Sequence, residues 1–171
     1  MTALVFVDAS VLLYAVDSRE PGKQARAAQW MERLWRTQTG RTSTQVLSEF
    51  FVNATRRLDP GLTEDEAWQH VSALRAWDPQ PVDLAALELA REIMTRYRIS
   101  WWDSLIVAAA QLQGCSTLLT EDLQAGASYA GVAVRSPFSD AVQEAAGPYA
   151  PSMAPPPVRR RGRPRKQAST A

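Results

Sequence analysis

Apolar residues along this chain fall into short unbroken runs that alternate with longer stretches at helical spacing. That is the layout of an α/β sheet whose inner strands are covered on both faces. Residues 3–7 form the first run, too short for a typical helix and rich in β-branched and aromatic residues, so a strand ending at Asp8 is predicted. Residues 23–38 carry Ala27, Ala28, Met31, Leu34 and Trp35 at helical spacing. A short strand is predicted at 41–43, then a helix over 44–58 in which Val46, Leu47, Phe50, Phe51, Ala54 and Leu58 recur. Residues 64–77 give another amphipathic helix, opened by Thr63 and Glu66 at capping-box spacing. Pro79 and Pro81 punctuate the chain before a helix over 84–97. Residues 104–113 are apolar nearly all round, which predicts a buried helix, and Gly114 stops it. Strands at 116–119 and 132–134 complete an alternating α/β order.

This layout places four carboxylates at one end of the sheet. Asp8 and Asp122 follow predicted strands, Asp103 lies in the first turn of the buried helix, and Glu49 lies in the early turns of the 44–58 helix. Glu49 and Asn53 fall at the border of that helix's apolar arc, where a side chain can face a cleft. In a parallel sheet, crossover helices run against the strands, so helix N-termini and strand C-termini share the edge where open α/β sheets bind ligands. Two unit charges about 4 Å apart repel by roughly 4 kcal/mol even at an effective dielectric near 20, so converging acids require a cation or protonation. Oxygen donors with no His or Cys cluster suit a hard ion, Mg²⁺ or Mn²⁺, which polarises phosphoryl oxygens and activates water.

The chain resembles the PIN-domain ribonucleases and, within them, the VapC toxins of type II toxin–antitoxin pairs. The residues that carry the resemblance are Val7-Asp8-Ala9-Ser10-Val11-Leu12, Ser43-Thr44-Gln45-Val46-Leu47-Ser48-Glu49-Phe50, the run from Ile99 through Trp102-Asp103-Ser104 to Ala110, and Leu119-Thr120-Glu121-Asp122-Leu123. It spans about residues 1–138. It implies a three-layer α/β/α domain with a mostly parallel central sheet, and Mg²⁺- or Mn²⁺-dependent endonuclease activity on RNA that leaves 5′-phosphate and 3′-hydroxyl ends. The family's acidic quartet maps onto Asp8, Glu49, Asp103 and Asp122, with Ser10 and Thr120 at its hydroxyl positions. Asp8, Asp103 and Asp122 are the expected metal ligands, while Glu49 is expected to hold or deprotonate water. A cognate antitoxin and homodimerisation are implied on the same basis.

Simpler readings accompany each residue. Asp8 and Ser10 suit the cap of a helix starting near Val11, Ser100 and Asp103 have capping-box spacing, Asp122 suits the cap of a short helix from Leu123, and Glu49 suits a solvated helix face. His70 is the only histidine, which assigns it a structural or surface role and excludes two-histidine RNA cleavage. Trp30, Trp35, Trp68 and Trp77 read as packing within amphipathic helices, whereas Trp101 and Trp102 adjoin Asp103 and are candidates for substrate contact. Arg19, Arg56, Arg57 and Arg98 are candidate phosphate contacts or plain solvated helix ends. A phosphatase using Asp8 as phosphoryl acceptor is disfavoured, because Ser10 stands where that chemistry uses a second acid.

Composition changes the picture at the C-terminus. The chain has 171 residues, 46% of them hydrophobic, enough for one sizeable core. Its net charge of +1 hides an asymmetry: six of the 19 basic residues and none of the 18 acidic ones lie in 151–171, so the body carries about −5. Proline enrichment from Gly147 onward predicts an extended linker. The expected division is therefore a nuclease domain over 1–145 and a disordered Pro-rich and basic tail over 146–171. Arg161-Gly162-Arg163-Pro164-Arg165-Lys166 resembles an AT-hook, whose arginines enter the narrow minor groove of A·T-rich DNA; tethering to RNA or DNA without sequence preference is the alternative. From this tail comes the alternative function, a PIN-like body that no longer cuts and whose tail binds DNA. The lone Cys115 excludes a disulfide framework, and residues 3–7 are too short for a membrane span, so no membrane role and a cytoplasmic location are expected.

Overall fold

The computed structural model describes residues 3–139. The predicted boundary near residue 145 and the AT-hook-like residues 161–166 lie outside the described residues.

Five strands form one sheet in the order β2-β1-β3-β5-β4. They are β1 (Val5–Val7), β2 (Gly40–Arg41), β3 (Thr117–Leu119), β4 (Ser128–Tyr129) and β5 (Val132–Arg135). All pairings are parallel except that of β4 with β5. The helices are α1 (Ala9–Val16), α2 (Pro21–Thr37), α3 (Thr44–Arg56), α4 (Glu64–Ala73), α5 (Leu84–Tyr97) and α6 (Trp101–Leu112), with a 3₁₀ turn at Leu74–Trp77. From β1 the chain passes through α1 and α2 to one neighbouring strand, then returns through α3 to α6 to the other. Right-handed crossovers running in opposite directions along a sheet put their helices on opposite faces, which gives the α/β/α layering. Phe6, Val7, Leu118 and Leu119 are fully buried between these layers, each contributing about 1.5–3 kcal/mol of burial free energy.

Several predicted boundaries move for local reasons. β2 stops at Arg41 because Thr42 and Ser43 have other work: the Thr42 hydroxyl donates to Val7 O at 3.2 Å, and Ser43 caps α3 by accepting from Val46 N–H. α6 starts at Trp101, earlier than the apolar run, because Ser100 caps it by accepting from Asp103 N–H. The helix predicted over 64–77 ends at Ala73 and tightens into the 3₁₀ turn, which carries Trp77 into the core beside Gly40. A Cβ at Gly40 would stand 2.5 Å from Trp77 ring carbons, so only glycine fits this strand edge without displacing the indole. Among the described residues no helix is long and apolar enough to cross a membrane.

Candidate active site

Strand register assembles the centre of the site. Val7 pairs with Leu119, so the next residues, Asp8 and Thr120, leave the sheet side by side at the point where strand order reverses. Asp8 N–H donates to Leu119 O at 3.1 Å. Asp8 Oδ2 accepts from the Thr120 hydroxyl at 2.7 Å and the Ser10 hydroxyl at 3.4 Å, while Oδ1 accepts from Ala9 N–H at 2.7 Å. The bond to Ala9 N–H makes Asp8 the N-cap of α1, and the same carboxylate faces the cavity that the other acids line. Thr120 Oγ also accepts from Asp122 N–H at 3.1 Å, and Ser10 Oγ accepts from Glu121 N–H at 3.4 Å. These two hydroxyls therefore hold both Asp8 and the turn that bears Asp122. No helix follows Asp122, so the alternative in which it caps one is not realised.

The other two acids come from helices. Glu49, half-buried in α3, accepts from Gln45 Nε2 at 3.0 Å, one turn earlier. Asp103, third residue of α6, accepts from the Ser100 hydroxyl at 2.6 Å while its own N–H donates back to Ser100 Oγ at 3.1 Å. Asp8, Glu49, Asp103 and Asp122 all line one cavity of about 50 Å³, together with Gln45, Thr120 and Trp102. The predicted quartet is thus brought to one place.

Burial dominates the electrostatics of the innermost acid. Asp8 is 6% exposed. Desolvation pushes its carboxyl from 3.8 up to about 6; the bonds from Thr120 and Ala9 oppose this, and the charges of Asp122 and Glu49 add to it. No cation among the described residues offsets this. Among the described residues no three His, Cys, Asp or Glu side chains are arranged to hold a metal ion, so the acids border a cavity and do not form a closed cage. Their donor chemistry nonetheless fits a hard divalent cation, being all oxygen with one destabilised carboxylate at the centre.

Two larger openings adjoin the acids. A groove of about 600 Å³ shares Gln45, Glu49 and Trp102 with the small cavity and adds Thr44, Ser48 and Val82. A cleft of about 350 Å³ shares Glu49 and Asp122 and reaches Tyr14, Arg19, Asn53 and Arg57. Of the candidate phosphate contacts, Arg56 and Arg98 line neither opening, and Arg19 is gripped by Asp17 through bonds of 2.9 and 2.8 Å. Of the six tryptophans, Trp30 and Trp77 pack with the core as expected. Trp77 is buried; Trp35 and Trp68 are 39% and 57% exposed, yet Trp35 meets the Trp77 ring at 5.1 Å and Trp68 lies edge-on to Phe51 at 6.1 Å, so both keep a packing contact. Trp101 packs against the core, while Trp102 is 64% exposed. His70 is exposed and lies edge-on to Phe50, in keeping with a structural role.

Sequence reasoning passed over two contributors. Gln45 lies one turn before Glu49, and that spacing was the available signal. Lys23 donates to Glu121 at 2.6 Å and to the Tyr14 hydroxyl at 3.1 Å, tying α2 to the turn that carries Asp122. The Lys23–Glu121 contact spans 98 residues and leaves no local trace in the sequence.

Residues 5–127 match the PIN domain. The chain belongs to the PIN-domain family. The expected three-layer, mostly parallel architecture is the architecture of that family. No curated protein matches the chain in sequence. Among solved structures, a toxin–antitoxin complex from Klebsiella pneumoniae superposes with a TM-score of 0.58 at 19% identity, covering 78% of this chain and 98% of the other. DNA-bound VapBC from Salmonella typhimurium gives 0.56 at 15% identity, with 80% and 99% covered. VapBC2 from Rickettsia felis, bound to a fragment of its promoter, gives 0.55 at 13% identity, with 78% and 98% covered. These likenesses establish a shared fold.

Proposed function

We propose that this PIN-domain protein is a metal-dependent endoribonuclease and the toxin of a type II toxin–antitoxin pair. The observation that carries the proposal is the junction of Asp8 and Thr120 at the strand-order reversal, where Glu49, Asp103 and Asp122 line the same small cavity. Such a rim of acids has no use for an anionic substrate unless a cation joins it. Asp8, Asp103 and Asp122 would hold Mg²⁺ or Mn²⁺. When bound, that ion supplies the Lewis-acid charge that offsets the phosphodiester oxygens.

The chain's own groups do the rest. Thr120 and Ser10 keep Asp8 oriented through hydrogen bonds to Oδ2, and Ser100 does the same for Asp103. Glu49, steadied by Gln45, accepts the proton of the attacking water at a carboxylate oxygen. Water oxygen bonds to phosphorus as the bond to the 3′ oxygen breaks, and that oxygen takes a proton from solvent, leaving 5′-phosphate and 3′-hydroxyl ends. Three solved structures of similar fold are toxin–antitoxin complexes, which supports an antitoxin as partner for the acidic cleft. The intact four-acid rim counts against the alternative of a non-cutting, tail-driven DNA-binding protein.

The test is incubation of the purified full chain with single-stranded and structured RNA in Mg²⁺, Mn²⁺ or chelator, beside the Asp8→Asn, Asp103→Asn double variant. Cleavage that needs metal and disappears in the variant is the expected result. Absence of cleavage with every RNA would overturn the nuclease reading and leave binding through the basic tail.

A further inference from the structure

We propose that Trp102 is the stacking platform of a subsite that seats one unpaired nucleobase of the RNA strand next to the carboxylates. The proposal rests on the nuclease reading for the identity of the strand, and on three observations for the subsite. First, Trp102 is 64% exposed although it occupies the first turn of the most buried helix, between core-packed Trp101 and Asp103. Among the described residues Trp102 joins neither the apolar core nor any aromatic pair, so packing does not explain an indole left in water beside four acids. Second, Trp102 lines both the groove of about 600 Å³ and the carboxylate cavity, so a base lying in the groove would be a direct neighbour of the acids. That volume falls in the range of small-ligand sites.

Third, the two openings beside the acids differ in charge. Among the described residues that line the groove, Glu49 is the one charged side chain, and it stands at the shared edge with the acids; Thr44, Gln45, Ser48, Val82 and Trp102 are neutral. In the cleft, Arg19 and Arg57 are present. A polyanionic backbone gains nothing from the neutral groove, whereas the neutral π-face of a base does. Stacking on an aromatic ring requires a base free of its own stack, so the geometry selects single-stranded RNA over duplex. Stacking also tolerates any base, because each has a π-face. The subsite thus sets strand state and register, and leaves base identity to other contacts.

Binding separates this proposal from the nuclease reading. In an Asp8→Asn background with Mg²⁺, fluorescence anisotropy measures the affinity for a short labelled single-stranded RNA and for copies with one abasic position moved along the strand. Trp102→Ala should weaken Kd for the intact RNA about 10-fold or more, Trp102→Phe should stay within about 3-fold, and Trp68→Ala should change nothing. One abasic position should impose the same loss on the Trp102 chain and no further loss on Trp102→Ala. Equal binding by Trp102→Ala and its parent, an abasic penalty that persists in Trp102→Ala, or no binding by the parent overturns the subsite. Thermal melting of Trp102→Ala confirms folding, which an exposed residue should not disturb. The nuclease reading fails separately, if the unaltered chain cleaves no RNA while this cycle shows the expected coupling.

Discussion

Asp8 and Thr120 directly follow the ends of neighbouring strands, buried and hydrogen-bonded to one another, whereas Glu49 and Asp103 ride on helices and stay partly open to water. The strand side is held by register, since sheet pairing leaves Asp8 no freedom to turn away, and its carboxylate is desolvated as a result. On the helix side, single side-chain bonds from Gln45 and Ser100 give the hold, and solvent limits the electrostatic cost. The buried Asp8 carboxylate therefore stores free energy in the strand half of the site. The strained half is where a cation gains most, because neutralising a buried carboxylate relieves a penalty that neutralising a solvated one does not.

Substitutions can break that contrast in graded ways. The largest effect is expected on activity, where both halves are needed: Asp8→Asn and Asp103→Asn should each lower RNA cleavage by about 100-fold or more, since loss of mere supporting partners around a metal costs about 10–100-fold. Equal activity in either variant, measured as initial rates in Mg²⁺ or Mn²⁺, would remove that acid from the site.

Stability should separate the halves. The folded-state value of about 6 for Asp8, above its ordinary 3.8, means the folded chain keeps the proton to higher pH than the unfolded chain does. The sign follows: the contribution of protonated Asp8 is fully present below about pH 4 and is lost as pH rises through 6. In chelator at pH 8, Asp8→Asn should therefore be more stable than the parent by about 1–3 kcal/mol, with the difference closing by pH 4. Asp103→Asn, on a solvated helix turn, should stay within about 0.5 kcal/mol of the parent at pH 8. Urea denaturation at pH 8 and pH 4 checks this, and a destabilised Asp8→Asn at pH 8 would show that burial strain is not what distinguishes the strand side.

Thr120→Val sharpens the comparison, because it removes the donor to Asp8 and the acceptor of Asp122 N–H at once. A loss of about 1–2 kcal/mol is expected, along with a further rise of the Asp8 value, read as a shift of the stability–pH profile to higher pH. The smallest effect belongs to the exposed Lys23–Glu121 pair: Lys23→Met should cost under about 1 kcal/mol and less in high salt.

Much of this protein is legible along the chain. The apolar run before Asp8, the helix at Leu84–Tyr97, the Thr63–Glu66 capping box and the four spaced acids are local patterns, and each appears in the structure as read. β4 escaped because two residues carry too little pattern to mark a strand, whereas α1, read only as a helix starting near Val11, begins two residues earlier at Ala9 because Asp8 caps it. Alternation of element types is enough to send strand ends and helix starts to one edge, so the sequence determined that the four acids would meet. It did not determine which acid would be buried, that Thr120 would bond Asp8 across 112 residues, or that Trp102 would face a groove while Trp101 turned into the core. Those outcomes depend on strand register and on how α6 seats against the sheet, and both are set by packing between segments far apart in the chain. Propensity and periodicity act within a few residues, whereas desolvation is a property of everything that surrounds a group once the layers have closed.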